Sequence, residues 1–308
     1  VTVGNSLVVS QAAMALVAIP MQVTWSYGVG GVVFAIGLVA IFLRDEWRME
    51  PKLDKLILFG PLFYAVPIAA FGTEHFTITR DIASIVPAWI PWHVFWVYLL
   101  GACFIAAALS LVTRIQTRLS ASLLALTFFL FVVLMDAPAC MQDLHDRFGI
   151  TLALRELSFC GGPLALAASL SQQQHPRGAR FATTIARYFI AIPVLFYCIE
   201  QFLHADHVPG IPLEMVTPTW LFGHAVWTYM AAAMYAIAGI PLLAGKKTRA
   251  AAAWIGLTVL FVILVVYVPI GVAERGSLEG LNYLFDTLMY CGTVLLLAGA
   301  MPRSEQSQ

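Results

Sequence analysis

Ionisable side chains inside long apolar stretches are costly to hold in lipid and usually mark functional sites, so they are where chemistry is sought first. Glu74, His75, Arg155 and Glu156 stand in or beside apolar runs of the first half of the chain, and Glu200, Asn282 and Asp286 stand in comparable places in the second. Two carboxylates in a low-dielectric site tend to share a proton, which suits proton exchange coupled to redox chemistry or to transport. Arg155 beside Glu156 neutralises it and cheapens its burial, a role that is structural as readily as functional. His93 and His224 each follow a Pro-Trp turn. An imidazole there accepts a proton or hydrogen-bonds a quinone carbonyl, unless loop backbone satisfies it.

Other chemistries are less well supported. Glu200, His204 and His207 have a spacing that suits metal ligands on one helix face. The matching positions of the first half are Glu74, Ile78 and Asp81, and the segment is leaving the membrane, so no metal is assigned. No P-loop, dinucleotide fingerprint or G-x-S-x-G elbow stands in a fitting context, and no His pair is placed for a haem. The five cysteines show no C-x-x-C spacing. Cys103, Cys160, Cys198 and Cys291 lie in apolar runs as small hydrophobes, and Cys140 is expected in a connecting loop.

The elements that must position these residues are membrane helices. Apolar residues make up 60% of 308 and charged residues 11%, with zero formal net charge, which speaks against an ordinary soluble domain and gives no basic surface for nucleic acid. A spanning helix needs about 20 mostly apolar residues. Such runs fall near 23–43, 57–74, 92–113, 119–137, 149–170, 184–203, 220–244, 250–271 and 280–301. The fold class expected is therefore all-α and polytopic in a lipid bilayer, with about nine spans. Residues 1–22 carry no basic leader region or cleavage site and are expected to lie at the membrane surface.

Alternate loops differ in charge. One set carries thirteen Lys and Arg residues, from Arg44 to Arg303, and the other carries Arg80, Arg147 and Arg275. Basic loops stay in the cytoplasm, so the N-terminus is expected outside and the C-terminus inside the cytoplasmic membrane. Glu74, Glu156, Glu200 and Asp286 then fall in the outer leaflet, on the order of 10 Å deep.

Residues 57–170 and 183–301 align as an internal repeat. Pro67 matches Pro193 and Glu74-His75-Phe76 matches Glu200-Gln201-Phe202 at an offset of 126. After a five-residue insertion around Pro209–Glu214, Pro87-Ala88-Trp89 matches Pro218-Thr219-Trp220 and His93 matches His224 at an offset of 131. The loss of one residue is then expected, pairing Glu156 with Asp286 and Gly162 with Gly292. Each copy holds an even number of spans, so the repeat is parallel. The organisation expected is an N-terminal extension and helix in 1–50, a four-helix unit in 51–172 and a second in 181–303. Small residues such as Gly101, Ala106, Ala231 and Gly239 allow close helix approach. Trp89, Trp92, Trp96, Trp220 and Trp227 suit an interfacial belt or the flat wall of a ring-binding site.

The four-span unit resembles the DoxX family of bacterial membrane proteins, in a tandem form with an added N-terminal helix. The features that carry the resemblance are Phe71-Gly72-Thr73-Glu74-His75-Phe76, the turn Pro87 to His93, and Arg155-Glu156-Leu157-Ser158-Phe159-Cys160-Gly161-Gly162. Weaker versions run through Glu200-Gln201-Phe202, Pro218-Thr219-Trp220 and Asp286 to Gly292. The resemblance implies a helical bundle in the cytoplasmic membrane, with some members tied to quinone-dependent oxidation of sulfur compounds and others to redox-stress complexes. It carries fold further than function. A quinone-linked oxidoreductase component working with redox partner proteins is the first reading. A small-solute carrier and a non-catalytic scaffold are the alternatives. The first copy, which alone has His75 and the Arg155–Glu156 pair, is the favoured site.

Overall fold

The computed structural model describes residues 19–44 and 46–303, without the side chains of Glu46, Met49, Lys52 and His224. The expectation for residues 1–22 therefore falls outside the described residues up to position 18. The protein is an all-α polytopic membrane protein: among the described residues, nine helical segments are long and apolar enough to cross a bilayer.

Besides two short helices, Glu46–Met49 and Lys52–Ile57, the helices are α1 (Met21–Leu43), α2 (Gly60–Thr77), a short α3 (Thr79–Ile85), α4 (His93–Thr113), α5 (Thr117–Phe131), α6 (Ala137–Gln142), α7 (Arg147–Ser171), α8 (Pro176–Leu203), α9 (His224–Leu243), α10 (Thr248–Val262), α11 (Val268–Ala273) and α12 (Leu278–Ala300). A π-helical turn, Val132–Asp136, joins α5 to α6, and another, Ile263–Tyr267, joins α10 to α11. Pro138 and Pro269 follow these turns. Proline lacks an N–H and crowds the carbonyl four residues back, and a π turn lets the helix continue past that defect. The fourth span thus runs on to Gln142, and Cys140 sits on α6 instead of the connecting loop expected for it.

Packing follows a pseudo-two-fold axis between α7 and α12. The first helix of each unit lies on the last helix of the other, α2 on α12 and α8 on α7, while α7 and α12 also pack on each other. Two five-helix rings result. One is made of α2, α4, α5, α7 and α12, the other of α8, α9, α10, α12 and α7. Helix α1 lies outside the first ring against α2, where Gly30 approaches Val66. Burial follows the same order: α12 is buried over 72% of its span and the α5–α6 span over 17%, so α12 is central and α5 faces lipid. Outward-facing Val32, Val39, Leu99, Leu123 and Leu126 give the apolar perimeter a bilayer requires.

Two close approaches fix the repeat register. Gly161 of α7 meets Ala186 and Ile190 of α8, and Gly292 of α12 meets Tyr64 of α2. A side chain at either glycine would collide with the neighbouring helix. Gly162 lies against Thr293, 131 positions later, as equivalents facing each other across an axis must. Helices α7 and α12 also start 131 apart. No residue is lost between the copies: Arg155 answers Asp286, Glu156 answers Thr287 and Cys160 answers Cys291. This corrects the register expected from sequence.

At the end bearing most of the basic residues, arginines cap helix C-termini. Arg187 donates to the carbonyls of Leu242 and Leu243, Arg44 to Thr113, and Arg249 to Ala298. Asp54 neutralises Arg249 at 3.0 Å. The opposite end carries α3, the segment 204–223 and the carboxylates.

Candidate functional site

The first ring encloses a cavity of about 390 Å³ near the end that carries α3. That is within the ordinary range for a small-molecule site. Its wall is aromatic: Phe71 on α2, Trp96 and Phe104 on α4, Phe128 and Phe131 on α5, and Phe159 on α7. Ile82, Ile85 and Val86 close it from above. At one side the apolar wall gives way to Glu74, His75, Asp136, Arg155, Glu156, Asn282 and Asp286.

Arg155 organises this polar side. Its Nη1 donates to Asp286 Oδ2, and its Nη2 donates to Glu156 Oε1 at 2.8 Å. The guanidinium also lies 5.7 Å from the Phe159 ring centre. Arg155 and Asp286 are pseudo-symmetry equivalents, so one position holds opposite charges in the two copies and the pair closes across the axis. Part of the cluster remains unmatched. Glu74 is 6% exposed, and its Oε1 has no hydrogen-bond partner among the described residues. The same is true of Glu156 Oε2, Asp136 Oδ2 and Asn282 Oδ1. Buried polar atoms without partners are expensive, and a cavity lined by several is suited to a ligand that supplies the missing contacts. His75 Nδ1 lies 2.7 Å from the Phe71 carbonyl, which fixes its N–H on that nitrogen.

The structure thus brings together Glu74, His75, Arg155, Glu156, Asn282 and Asp286. His93 stays apart. It opens α4 after Trp92, which has a left-handed backbone, and lines a shallow apolar surface hollow of about 920 Å³ with Ala88, Ile90 and Phe95. That hollow is larger but nearly without polar groups, so the carboxylate cavity is the better site. The side chain of His224 lies outside the described residues; its backbone opens α9. Trp96 and Trp227 donate their indole N–H groups to Pro91 and Phe222 at equivalent places, and Trp89 and Trp92 are exposed as belt residues are. Asp136 was absent from the sequence expectations. The π turn before Pro138 places it in the cavity, and the signal for it was an acid inside an apolar run.

The second ring is filled by its own chain. Val208, Ile211 and Leu213, from the segment that carries the insertion, are buried to within a few per cent. Gln201 Nε2 donates to the Gly210 carbonyl at 3.1 Å, and Tyr267 Oη donates to the Pro209 carbonyl at 2.8 Å. The backbone N–H groups of Glu214 and Met215 donate to Tyr283 Oη. Gly210 has φ +107°, and a side chain there would meet the Thr287 methyl. Four second-copy residues therefore hold the segment: Gln201, Tyr267, Tyr283 and Thr287. Their first-copy counterparts are His75, Asp136, Leu152 and Glu156, all facing the cavity.

Glu200 differs from Glu74 accordingly. Arg147, the first residue of α7, reaches Glu200 Oε2 at 3.2 Å and donates to the carbonyls of Pro212 and Leu213 at 2.7 Å. His204 Nε2 is 3.8 Å from the same carboxylate. Glu200 is thus tied into the clamp on the segment. Beyond the membrane-spanning helices, the hydrogen bond from His207 holds the Asp206 carboxyl below its usual range.

Comparison with protein-family models, with curated proteins and with solved structures finds no match to this chain.

Proposed function

We propose that the chain is a quinone-linked oxidoreductase component of DoxX type. In this reading the first ring binds a lipid-soluble aromatic ring, and Glu74, Asp136, Glu156 and His75 handle its protons. The observation that carries the proposal is the cavity itself, walled by aromatic side chains, ended by carboxylates around one arginine, and open where the second copy is filled by the segment from Val208 to Leu213. Flat aromatic walls suit a ring, and unmatched carboxylates suit proton exchange. The basic loops lie at the other end of the bundle. With those loops in the cytoplasm, the site lies in the outer leaflet of the cytoplasmic membrane, and the N-terminus is outside. Electrons then pass to or from a redox partner protein at that face.

A carrier would need a polar path from the cavity to the basic end. Beneath the cluster, Tyr64 donates to the Phe159 carbonyl at 2.9 Å, and the Gly162–Thr293 contact closes the axis. That packing speaks for a closed pocket.

The test uses the purified full-length chain in detergent with a decyl-substituted benzoquinone. Binding should raise the unfolding temperature and quench tryptophan emission through Trp96. Leu100→Trp, which fills the cavity, should abolish both effects. An unchanged unfolding temperature with the unaltered chain would overturn the proposal. Uptake of a small solute into vesicles, lost in Glu74→Gln, would favour a carrier.

A further inference from the structure

The segment that fills the second ring works as a built-in occupant, and its chemistry describes by contrast what the first ring takes. In the second ring two successive carbonyls are presented inward. Pro209 O accepts from Tyr267 Oη, and Gly210 O accepts from Gln201 Nε2. Donors of the ring meet acceptors of the occupant. The counterparts of those donors are Asp136 and His75, both lining the first cavity. Asp136 keeps an acceptor oxygen in either protonation state, and its Oδ2 has no partner among the described residues. His75 spends its Nδ1–H on the Phe71 carbonyl, which leaves Nε2 of the neutral ring as an acceptor. At these two positions the polarity is reversed between copies: donors hold carbonyls in one, and acceptors are offered in the other, while Tyr283 Oη accepts in the second ring and Arg155 Nε is an unpartnered donor in the first. Glu74, buried with an unpartnered oxygen beside them, adds a further acceptor.

We infer that the first ring is built for the hydroxyl-bearing, reduced form of its ligand, a lipid-soluble quinol, with His75 and Asp136 accepting hydrogen bonds from the ring hydroxyl groups. This rests on the quinone-class reading and assigns which redox form the site prefers. A ligand carrying only carbonyls finds donors in Arg155 Nε and in a protonated carboxyl, but leaves His75 Nε2 unpaired. A ligand with hydroxyl donors satisfies the acceptors, and one such hydrogen bond is worth about tenfold in affinity.

The experiment compares three probes on the full-length chain in detergent without oxygen: a decyl-substituted benzoquinol, the matching quinone and the matching dimethyl ether of the quinol. The quinol should bind about tenfold more tightly than either of the others. His75→Gln and Asp136→Asn bring in donor groups, and each should narrow that preference or reverse it while leaving affinity for the ether unchanged. The unfolding temperature of each variant shows whether it is folded, and the preference of the unaltered chain tests the inference with no variant at all. Equal binding of all three probes, lost together in Leu100→Trp, overturns the quinol assignment and leaves the ring-binding reading standing. Binding of none of them overturns that reading, and the assignment with it.

Discussion

The two rings of this protein have the same helices in the same order, yet one encloses a cavity and the other is closed by its own chain. The difference lies at a few positions. Where the first ring has His75, Asp136, Leu152 and Glu156 facing open space, the second has Gln201, Tyr267, Tyr283 and Thr287 against the segment from Val208 to Met215. In the second ring these groups hold the segment, although Gln201 Oε1, Tyr235 Oη and Tyr290 Oη stay unpartnered among the described residues. In the first, several are left unspent. The filled copy still contributes Asp286 and Asn282 to the cavity of the other, because α12 belongs to both rings.

That contrast predicts different costs for matched changes. The largest falls on the shared axis. Arg155→Ala leaves Asp286 and Glu156 without their cation and should destabilise the protein by about 3–5 kcal/mol, measured by unfolding in detergent. Next is Ile211→Ala in the filled ring, which should cost about 2–4 kcal/mol. Ile85→Ala, on the exposed cover of the open ring, should stay within about 0.5 kcal/mol. Tyr267→Phe leaves the Pro209 carbonyl unpaired and should cost about 1–2 kcal/mol. Its counterpart change, Asp136→Leu, removes an unpartnered carboxylate and should be neutral or stabilising by about 1 kcal/mol, while weakening quinol binding. Equal costs for Tyr267→Phe and Asp136→Leu would break the comparison.

The spans were legible in the sequence because hydropathy alone decides them in a bilayer; α1, α4 and α12 lie within two residues of the stretches expected. Most of the polar cluster was also legible, since acids inside apolar runs are rare. Asp136 was missed although it too is an acid inside an apolar run; it stands in the last turn of that run just before Pro138, and only the fold shows that it lines the cavity. The register slipped by one because acid was matched to acid and glycine to glycine. The cysteine pair Cys160 and Cys291 and the helix caps Asp146 and Ser277 carry the true spacing of 131. The insertion was visible as extra length, but its place inside the ring was not. Val208, Ile211 and Leu213 were the signal: an apolar loop has to bury itself somewhere.

The most direct test of the asymmetry is a density map of the full-length chain in lipid nanodiscs with the decyl-substituted benzoquinol. The structure predicts ring-shaped density between Trp96, Phe104 and Phe159 in the first ring, and only polypeptide from Val208 to Leu213 in the second. Ligand density in the second ring, or a first ring closed by side chains with the quinol present, would contradict it.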